Sequence, residues 1–239
     1  MTGPELLVLW DIDNTLITAR GFGKLMYDEA FLGAFGRALN GPVDFGGRTE
    51  LDVIAEVLRQ HDIEHTDEAS QLLATALANA FHARREDYPV HAEVLPGALQ
   101  ALEHFANEPR VHQGVLTGNL RSVALLKMEV FGLAHLVDWD VSAFGDDHLD
   151  RAELVTFARE RARHLRPFTP DEVVLIGDTP HDVHAALTAG VRLVAVATGR
   201  NTEDELRAAG AEVVVNDLSD LDELIRQVWK TSSQGNRTA

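Results

Sequence analysis

The sequence predicts an α/β fold with a doubly wound, mostly parallel sheet and a helical segment inserted after its first strand. Three observations predict it: short apolar runs alternate with helical patterns, one long stretch lacks such runs, and polar clusters directly follow three of the runs. The apolar runs lie at 6–10, 111–116, 173–176, 191–197 and 212–215. The run at 6–10 is continuously apolar, which is typical of a strand that is buried on both faces, as in parallel sheets, and the other runs are similar to it.

Helical patterns fill the spaces between the later runs. They cover 97–105, 121–131, 152–165 and 182–189. Thr202 with Glu205, and Ser219 with Asp222, have the spacing of capping boxes and predict two further helix starts. Strands that alternate with helices in this way are typical of a doubly wound sheet.

The segment 16–94 contains helical patterns at 24–39, 50–61 and 67–85 and no convincing strand. A connection of this length is far too long for a simple link between a strand and a helix. We therefore predict an inserted α-helical unit at 16–94 and an α/β domain formed by 1–15 and 95–230. The polar tail 231–239 is expected to be frayed.

Composition and charge exclude several functional classes. The 239 residues include 21 Lys and Arg against 38 Asp and Glu, which gives a net charge of −17. Nucleic acid and anionic membranes require a surplus of basic residues, so neither is an expected partner. The sequence has no cysteine, which excludes disulfides, thiol catalysis and cysteine-ligated zinc. Because it also lacks a membrane-length apolar run and a signal-peptide pattern, a cytoplasmic location is expected.

An acidic pair directly follows the first apolar run, in Asp11-Ile12-Asp13-Asn14-Thr15. Side chains alternate along an extended backbone, so Asp11 and Asp13 share a face if the strand geometry continues. Two carboxylates this close repel each other, and a divalent cation or a shared proton relieves that cost. The alternative is an ordinary acidic turn, in which Asp13 bonds to nearby backbone.

A second acidic cluster, Gly177-Asp178-Thr179-Pro180-His181-Asp182, follows a later run and opens a helix. The carboxyl ends of parallel strands border one crevice, so we expect Asp178 to face the acidic pair. Carboxylate oxygens are suitable ligands for Mg²⁺. For Asp182 the simpler interpretation is a helix cap, because Thr179 and Asp182 have capping-box spacing.

A third polar cluster, Thr117-Gly118-Asn119, also lies between an apolar run and a helical pattern. Thr117 offers a hydroxyl group, and the N–H groups of Gly118 and Asn119 lie at a helix start, where anions bind readily. Taken alone, this tripeptide also fits a plain turn with a helix cap.

Together, the three clusters resemble the motifs of the haloacid dehalogenase (HAD) superfamily, specifically its phosphatase branch with an α-helical cap. Asp-x-Asp-x-Thr at 11–15 and Gly-Asp-x-x-x-Asp at 177–182 are the most specific elements. The resemblance covers nearly the whole chain and implies a Rossmann-like core, with 16–94 as the cap. Many relatives have Gly where this chain has Asn14, but Asn also tolerates a positive φ.

This resemblance implies a Mg²⁺-dependent phosphatase that hydrolyses a small phosphorylated metabolite through an aspartyl phosphate. It makes Asp11 the nucleophile and Asp13 the general acid and base. The implied phosphate-binding residues are Thr117, Gly118, Asn119 and Arg151, and the implied metal-binding residues are Asp11, Asp13, Asp178 and Asp182. A cation is chemically reasonable, since a carboxylate that attacks a phosphate dianion must overcome charge repulsion.

The family also requires a basic residue that balances charge beside the nucleophile. Arg151 starts a predicted helix after an acidic run, which resembles the third family motif with Arg in place of Lys. Its alternative is a weak surface ion pair. Lys127 is the rival, but its place in the middle of the helical pattern 121–131 favours a solvated surface lysine. We therefore favour Arg151.

The segment 16–94 offers Arg48 as a candidate substrate contact. Gly46-Gly47-Arg48-Thr49-Glu50 resembles the cap loop that reaches the active site in phosphoglycolate phosphatase-like relatives. Arg48 could pair with a carboxylate or phosphate of the substrate. A solvent-facing arginine is an equally good interpretation. Arg20 and Lys24 could line the entrance to the site.

Three other functions are compatible with parts of this pattern. A haloacid dehalogenase uses the same nucleophile on carbon but lacks the second aspartate, so Asp13 argues against it. A phosphomutase of the same superfamily would return the phosphoryl group to a sugar, and the sequence barely separates it from a hydrolase. A receiver-like module, phosphorylated by a partner, is typically near half this length and has no helical insertion.

Overall fold

The computed structural model describes residues 5–230, which contain a five-stranded parallel sheet with strand order β4-β1-β5-β6-β7. The strands are β1 (Leu6–Trp10), β2 (Ile17–Ala19), β3 (Ala92–Val94), β4 (Val111–Val115), β5 (Val173–Gly177), β6 (Arg192–Val196) and β7 (Val214–Val215). Every pairing within the five-stranded sheet is parallel. The predicted α/β fold with a parallel sheet is therefore confirmed.

The helices lie between the strands in the predicted alternation. They are α1 (Phe22–Phe35), α2 (Glu50–Gln60), α3 (Asp67–Ala83), α4 (Tyr88–His91), α5 (Ala98–Ala106), α6 (Arg121–Val130), α7 (Arg151–Arg161), α8 (Pro180–Ala189), α9 (Glu203–Ala208) and α10 (Leu221–Trp229). Within residues 5–230 no helix combines the length and the apolar character that a bilayer crossing requires.

Strand β1 is buried on both faces, as its apolar sequence predicts. Leu7 and Leu9 belong to a hydrophobic cluster that includes side chains of α7 and α8. Val8 and Trp10 belong to a second cluster that includes side chains of α5, α6 and α10. Helices therefore cover both faces of the sheet, which is the doubly wound arrangement.

The prediction that 16–94 contains no strand is wrong. Strand β2 pairs with β3 in antiparallel register, with Ile17 opposite Val94, and the pair brackets helices α1 to α4. Each of these strands has three residues, too few for an alternating pattern to stand out. The side chains of α1 to α3 join the same hydrophobic cluster as one face of the sheet.

Several helix ends differ from the predicted ones for local reasons. Helix α1 ends at Phe35 because Gly36 adopts a left-handed φ of 66° and caps it by donating to the Leu32 carbonyl. The capping box of Thr202 and Glu205 is confirmed. The predicted cap at Ser219 is wrong, since Asp220 accepts the hydrogen bond at the start of α10. The predicted frayed tail, 231–239, lies outside the described residues.

Gly97, at the start of α5, has a φ of 79°, and a Cβ atom there would lie 2.0 Å from the Leu218 carbonyl oxygen. We expect Gly97→Ala to lower the free energy of unfolding by about 3 kcal/mol, from backbone strain and this clash. Gly132 is a matched control, because its φ is 70° and a Cβ atom would meet nothing within 4 Å. In urea denaturation, Gly132→Ala should lower the free energy of unfolding by about 1 kcal/mol. Equal losses in the two variants would contradict the close approach of Gly97 to the Leu218 carbonyl.

Candidate active site

Three aspartates meet at the carboxyl edge of the sheet. Asp11 directly follows β1, Asp178 directly follows β5, and Asp182 lies in the first turn of α8. Each offers one oxygen, and these oxygens all lie within 4.8 Å of one another. All three residues are buried. The neighbouring parallel strands therefore bring together the two acidic clusters that the sequence separates by more than 160 positions.

Asp178 is the least compensated of the three. Both of its carboxylate oxygens are buried and have no hydrogen-bond partner in the described part of the chain. Burial, followed by the charges of Asp11 and Asp182, raises the pKa of Asp178 to about 9. An ionised carboxylate without a partner is costly to bury. The group of oxygens that surrounds it is of the kind that holds a hard divalent cation.

Arg151 is buried beside the expected nucleophile. Its Nη2 atom lies 3.0 Å from Asp11 Oδ1 and 2.5 Å from Asp182 Oδ1. The side chain of Arg151 is 6% exposed, so this is not the surface ion pair that the sequence left as an alternative. Burial raises the pKa of Asp11 to about 7, while Arg151 opposes the rise. Arg151 therefore balances part of the negative charge at this edge of the sheet.

Lys127 is also buried in the site, and the prediction of a solvated surface lysine is wrong. Its Nζ atom lies 2.7 Å from both carboxylate oxygens of Asp13 and 2.7 Å from Asn119 Oδ1. The helical spacing contained a usable signal, because Val123 and Ala124, one turn earlier on α6, are apolar and buried. Both rival basic residues thus belong to the site, one beside each aspartate of the first motif.

Thr117 and Asn119 connect the third cluster to Asp13. Asn119 Nδ2 donates to Asp13 Oδ2 at 2.7 Å and to Thr117 Oγ1 at 2.8 Å. The Asn119 backbone N–H also donates to Thr117 Oγ1, at 3.3 Å, so it is engaged within the cluster. Gly118 contacts the loop that precedes α2, because a Cβ atom there would lie 2.0 Å from the Arg48 carbonyl oxygen.

Asp182, Asp13 and Asn14 of the two acidic clusters differ in their contacts and conformation. Asp182 Oδ2 accepts hydrogen bonds from the Thr179 backbone and side chain, which confirms the predicted capping box. The Asp13 carboxylate lies outside the group of three aspartates that could share an ion in the described residues. Asn14 adopts a φ of 59°, as its replacement of Gly predicts.

A cavity of about 740 Å³ opens onto these groups. Its core side includes Asp11, Asp13, Thr117, Gly118, Asn119, Lys127, Arg151 and Asp178. Its other side is formed by the segment between β2 and β3, including Arg48 and Glu50. The Glu50 backbone N–H donates to the Gly118 carbonyl at 2.8 Å, which docks that segment on the core. Arg48 Nε lies 2.6 Å from Asp52 Oδ2, so a carboxylate of this chain already pairs with it.

We expect Arg151→Met to lower the free energy of unfolding by about 3–5 kcal/mol, because it leaves Asp11 and Asp182 buried without their cation. Arg163 is a matched control, since it pairs with Glu160 and its side chain is 66% exposed. Arg163→Met should cost about 1 kcal/mol or less in the same denaturation experiment. Equal losses of unfolding free energy in the two variants would show that the buried pairing of Arg151 stabilises the fold no more than a surface pair does.

Known proteins are similar to this chain in sequence or in structure. Pyrophosphatase PpaX of Halalkalibacterium halodurans is 21% identical over 218 residues, which cover 91% of this chain and 95% of that protein. Phosphoglycolate phosphatase 1 of Pseudomonas aeruginosa is 24% identical over 221 residues, which cover 90% of this chain and 78% of that protein. The structure of a hydrolase from Pseudomonas syringae is similar in fold, with a TM-score of 0.67 at 20% identity and coverage of 94% and 99% of the two chains.

The sequence also matches the family described as haloacid dehalogenase-like hydrolase, over residues 8–187. The match begins within β1 and ends within α8, so it includes both acidic clusters and the segment between β2 and β3. It spans well over half of the 239 residues. This chain belongs to the haloacid dehalogenase-like hydrolases.

Proposed function

We propose that this protein is a Mg²⁺-dependent phosphatase that hydrolyses a small phosphorylated metabolite through an aspartyl phosphate on Asp11. The observation that carries the proposal is the separate pairing of the two aspartates of the first motif. Arg151 lies against Asp11, whereas Lys127 and Asn119 hold Asp13. Two carboxylates in different surroundings are suited to different tasks. The names of the two relatives, a pyrophosphatase and a phosphatase, agree with phosphoryl chemistry.

Asp11 and Asp178 would hold the Mg²⁺ ion, with Asp182 within reach. The unpartnered oxygens of Asp178 support this assignment, because they need a cation or a proton. Lys127 and Asn119 occupy the carboxylate oxygens of Asp13, so the proposal assigns no side-chain oxygen of Asp13 to the ion. When bound, Mg²⁺ would screen the repulsion between the attacking carboxylate and the phosphate.

In the first step, a carboxylate oxygen of Asp11 attacks phosphorus and the bond from phosphorus to the ester oxygen breaks. Asp13, which is protonated at the start of the cycle, gives its proton to the departing alcohol oxygen, so the alcohol leaves neutral. Lys127 and Asn119 contact both Asp13 oxygens and fix the orientation of that carboxyl group. Arg151 contacts the Oδ1 atom of Asp11 and so holds this carboxylate in place.

In the second step, Asp13 takes a proton from a water molecule, whose oxygen attacks phosphorus. The bond from phosphorus to Asp11 breaks, inorganic phosphate leaves, and Asp11 is regenerated as a carboxylate. The Thr117 hydroxyl, which borders the cavity beside Asn119, would hold a phosphoryl oxygen through both steps. Dividing the reaction into two displacements is the general advantage of a covalent intermediate.

The family match argues against the receiver-like alternative, and the engaged Asp13 argues against a dehalogenase. A phosphomutase would use the same first step and differ in the acceptor of the phosphoryl group. The proposal is hydrolysis, because both curated relatives have names that denote hydrolytic enzymes.

We expect Asp11→Asn to lower the turnover of p-nitrophenyl phosphate by at least about 1,000-fold, because the amide is not a nucleophile. Wild-type turnover should require added Mg²⁺. Asp140→Asn is a matched control, since Asp140 is exposed and lies outside the cavity. Acid quenching during turnover should leave one phosphoryl group on the peptide that contains Asp11. Undiminished turnover by Asp11→Asn would contradict the assignment of the nucleophile.

The stability of the metal-free protein should fall as the pH rises. Burial raises the pKa of Asp11 from 3.8 to about 7 and that of Asp178 from 3.8 to about 9. The pKa of each carboxyl group is higher in the folded state than in the unfolded state. Between those two pKa values, the folded state therefore binds more protons than the unfolded state. The free energy of unfolding therefore decreases as the pH rises from about 4 through these pKa values. Thermal melting across this range measures the slope.

Mg²⁺ competes with protons for these carboxylates, so its stabilising effect should be larger near pH 8.5 than near about pH 5.5. At about 100 times its Kd, the ion should add about 2.7 kcal/mol to the free energy of unfolding. Asp178→Asn should remove this increment, and Asp140→Asn should keep it. An increment that is independent of pH, or that survives in Asp178→Asn, would contradict the proposed site.

A further inference from the structure

The cavity has an aromatic wall opposite the sheet. Phe22 packs edge-on against Phe81 at 5.7 Å between ring centroids and against Tyr88 at 5.2 Å. All three side chains are largely buried and border the cavity. Together with Tyr27 and Glu50, which border it as well, these residues are here called the leaving-group pocket.

The leaving-group pocket adjoins Asp13. Lys127 Nζ lies 5.6 Å from the Phe81 ring centroid and 2.7 Å from Asp13. Under the proposed function, Asp13 protonates the ester oxygen of the departing alcohol. The carbon skeleton of that alcohol would then extend from Asp13 into the cavity that the aromatic wall borders.

Two polar groups of the pocket are suited to hydroxyl groups of a ligand. The Tyr27 hydroxyl donates to Glu50 Oε1, which orients this carboxyl group at the cavity. The Tyr88 hydroxyl is fully buried and has no hydrogen-bond partner in the described residues. A buried hydroxyl group without a partner loses the hydrogen bonds it makes in water, and a ligand hydroxyl can restore them because it both donates and accepts.

The cations on this side of the cavity already have carboxylate partners. The pairs are Arg20 with Glu93, Lys24 with Asp28 and Arg48 with Asp52. Lys127, on the core side, pairs with Asp13. A substrate carboxylate or second phosphate would share one of these cations with a carboxylate of the chain. Arg200 also borders the cavity, but it lies on the loop after β6, on the core side.

We propose that Phe22, Tyr27, Glu50, Phe81 and Tyr88 bind the leaving group, and that it is an uncharged, polyhydroxylated alcohol of the sugar type. This inference rests on the proposed phosphatase function. The apolar face of a sugar ring packs on aromatic rings, while its hydroxyl groups donate to Glu50 and bond to Tyr88. An acidic leaving group would face the Glu50 carboxylate, whose charge would repel it.

The test compares kcat/KM of the wild-type protein with Mg²⁺ across four kinds of substrate. They are hexose and pentose phosphates, phosphoglycolate, phosphoethanolamine and inorganic pyrophosphate, with p-nitrophenyl phosphate as a generic ester. We expect the best sugar phosphate to exceed each of the other three by at least about ten-fold. A higher value for phosphoglycolate, phosphoethanolamine or pyrophosphate would overturn the inference, even with p-nitrophenyl phosphate hydrolysed. If the protein hydrolyses none of these substrates, p-nitrophenyl phosphate included, the proposed function is overturned and the inference with it.

Two conservative variants test the pocket itself. Tyr88→Phe removes only the unpartnered hydroxyl, and Glu50→Gln removes the charge with little change of shape. Each should lower kcat/KM for the best sugar phosphate at least about ten-fold more than for p-nitrophenyl phosphate, which has no hydroxyl groups. Glu86→Gln is the matched control, because Glu86 is exposed between α3 and α4 and does not border the cavity. Equal losses on both substrates in Tyr88→Phe and Glu50→Gln would overturn the assignment of these contacts.

Discussion

Buried negative charge at the carboxyl edge of the sheet is the constraint on which the site depends. Asp11, Asp178 and Asp182 are buried within a few ångströms of one another, and Asp13 lies beside them. Arg151 forms ion pairs with Asp11 and Asp182, and Lys127 forms one with Asp13. The Asp178 carboxylate has no hydrogen-bond partner in the described residues. Such a cluster is stable only with protons or a cation, and this requirement connects stability to the proposed chemistry.

The segment between β2 and β3 completes the enclosure of this charge. Its loop before α2 lies directly on the core, where Gly118 and Gly145 leave no space for a side chain. Backbone N–H groups of Glu50 and Leu51 donate to the carbonyls of these two glycines. The same contacts place Glu50 at the cavity, so the docking that limits water at the site also presents a group to the leaving alcohol.

The sequence predicted the sheet and the meeting of the three polar clusters because both depend on short-range patterns. Apolar runs place the parallel strands, and the acidic residues after β1 and β5 must then meet at one edge. Lys127 was misjudged because a lysine in the middle of a helix is usually exposed. The apolar residues one turn earlier indicated burial, and the packing of α6 shows that the side chain turns toward Asp13. The pairing of β2 with β3 arises from tertiary contacts that a pattern of residue types does not specify. The ion pair of Arg48 with Asp52 has i,i+4 spacing, so the sequence did contain a signal for it.

The most direct test of this account is the position of a divalent cation in crystals grown with Mn²⁺, whose anomalous scattering identifies it. We expect one peak bonded to carboxylate oxygens of Asp11 and Asp178, and its disappearance in Asp178→Asn. Arg151 and Lys127 should keep their contacts with Asp11 and Asp13 in the same crystals. A well-ordered site without this peak, or a peak elsewhere while Asp178 stays unbound, would contradict the claim that the buried charge is arranged to hold a metal ion.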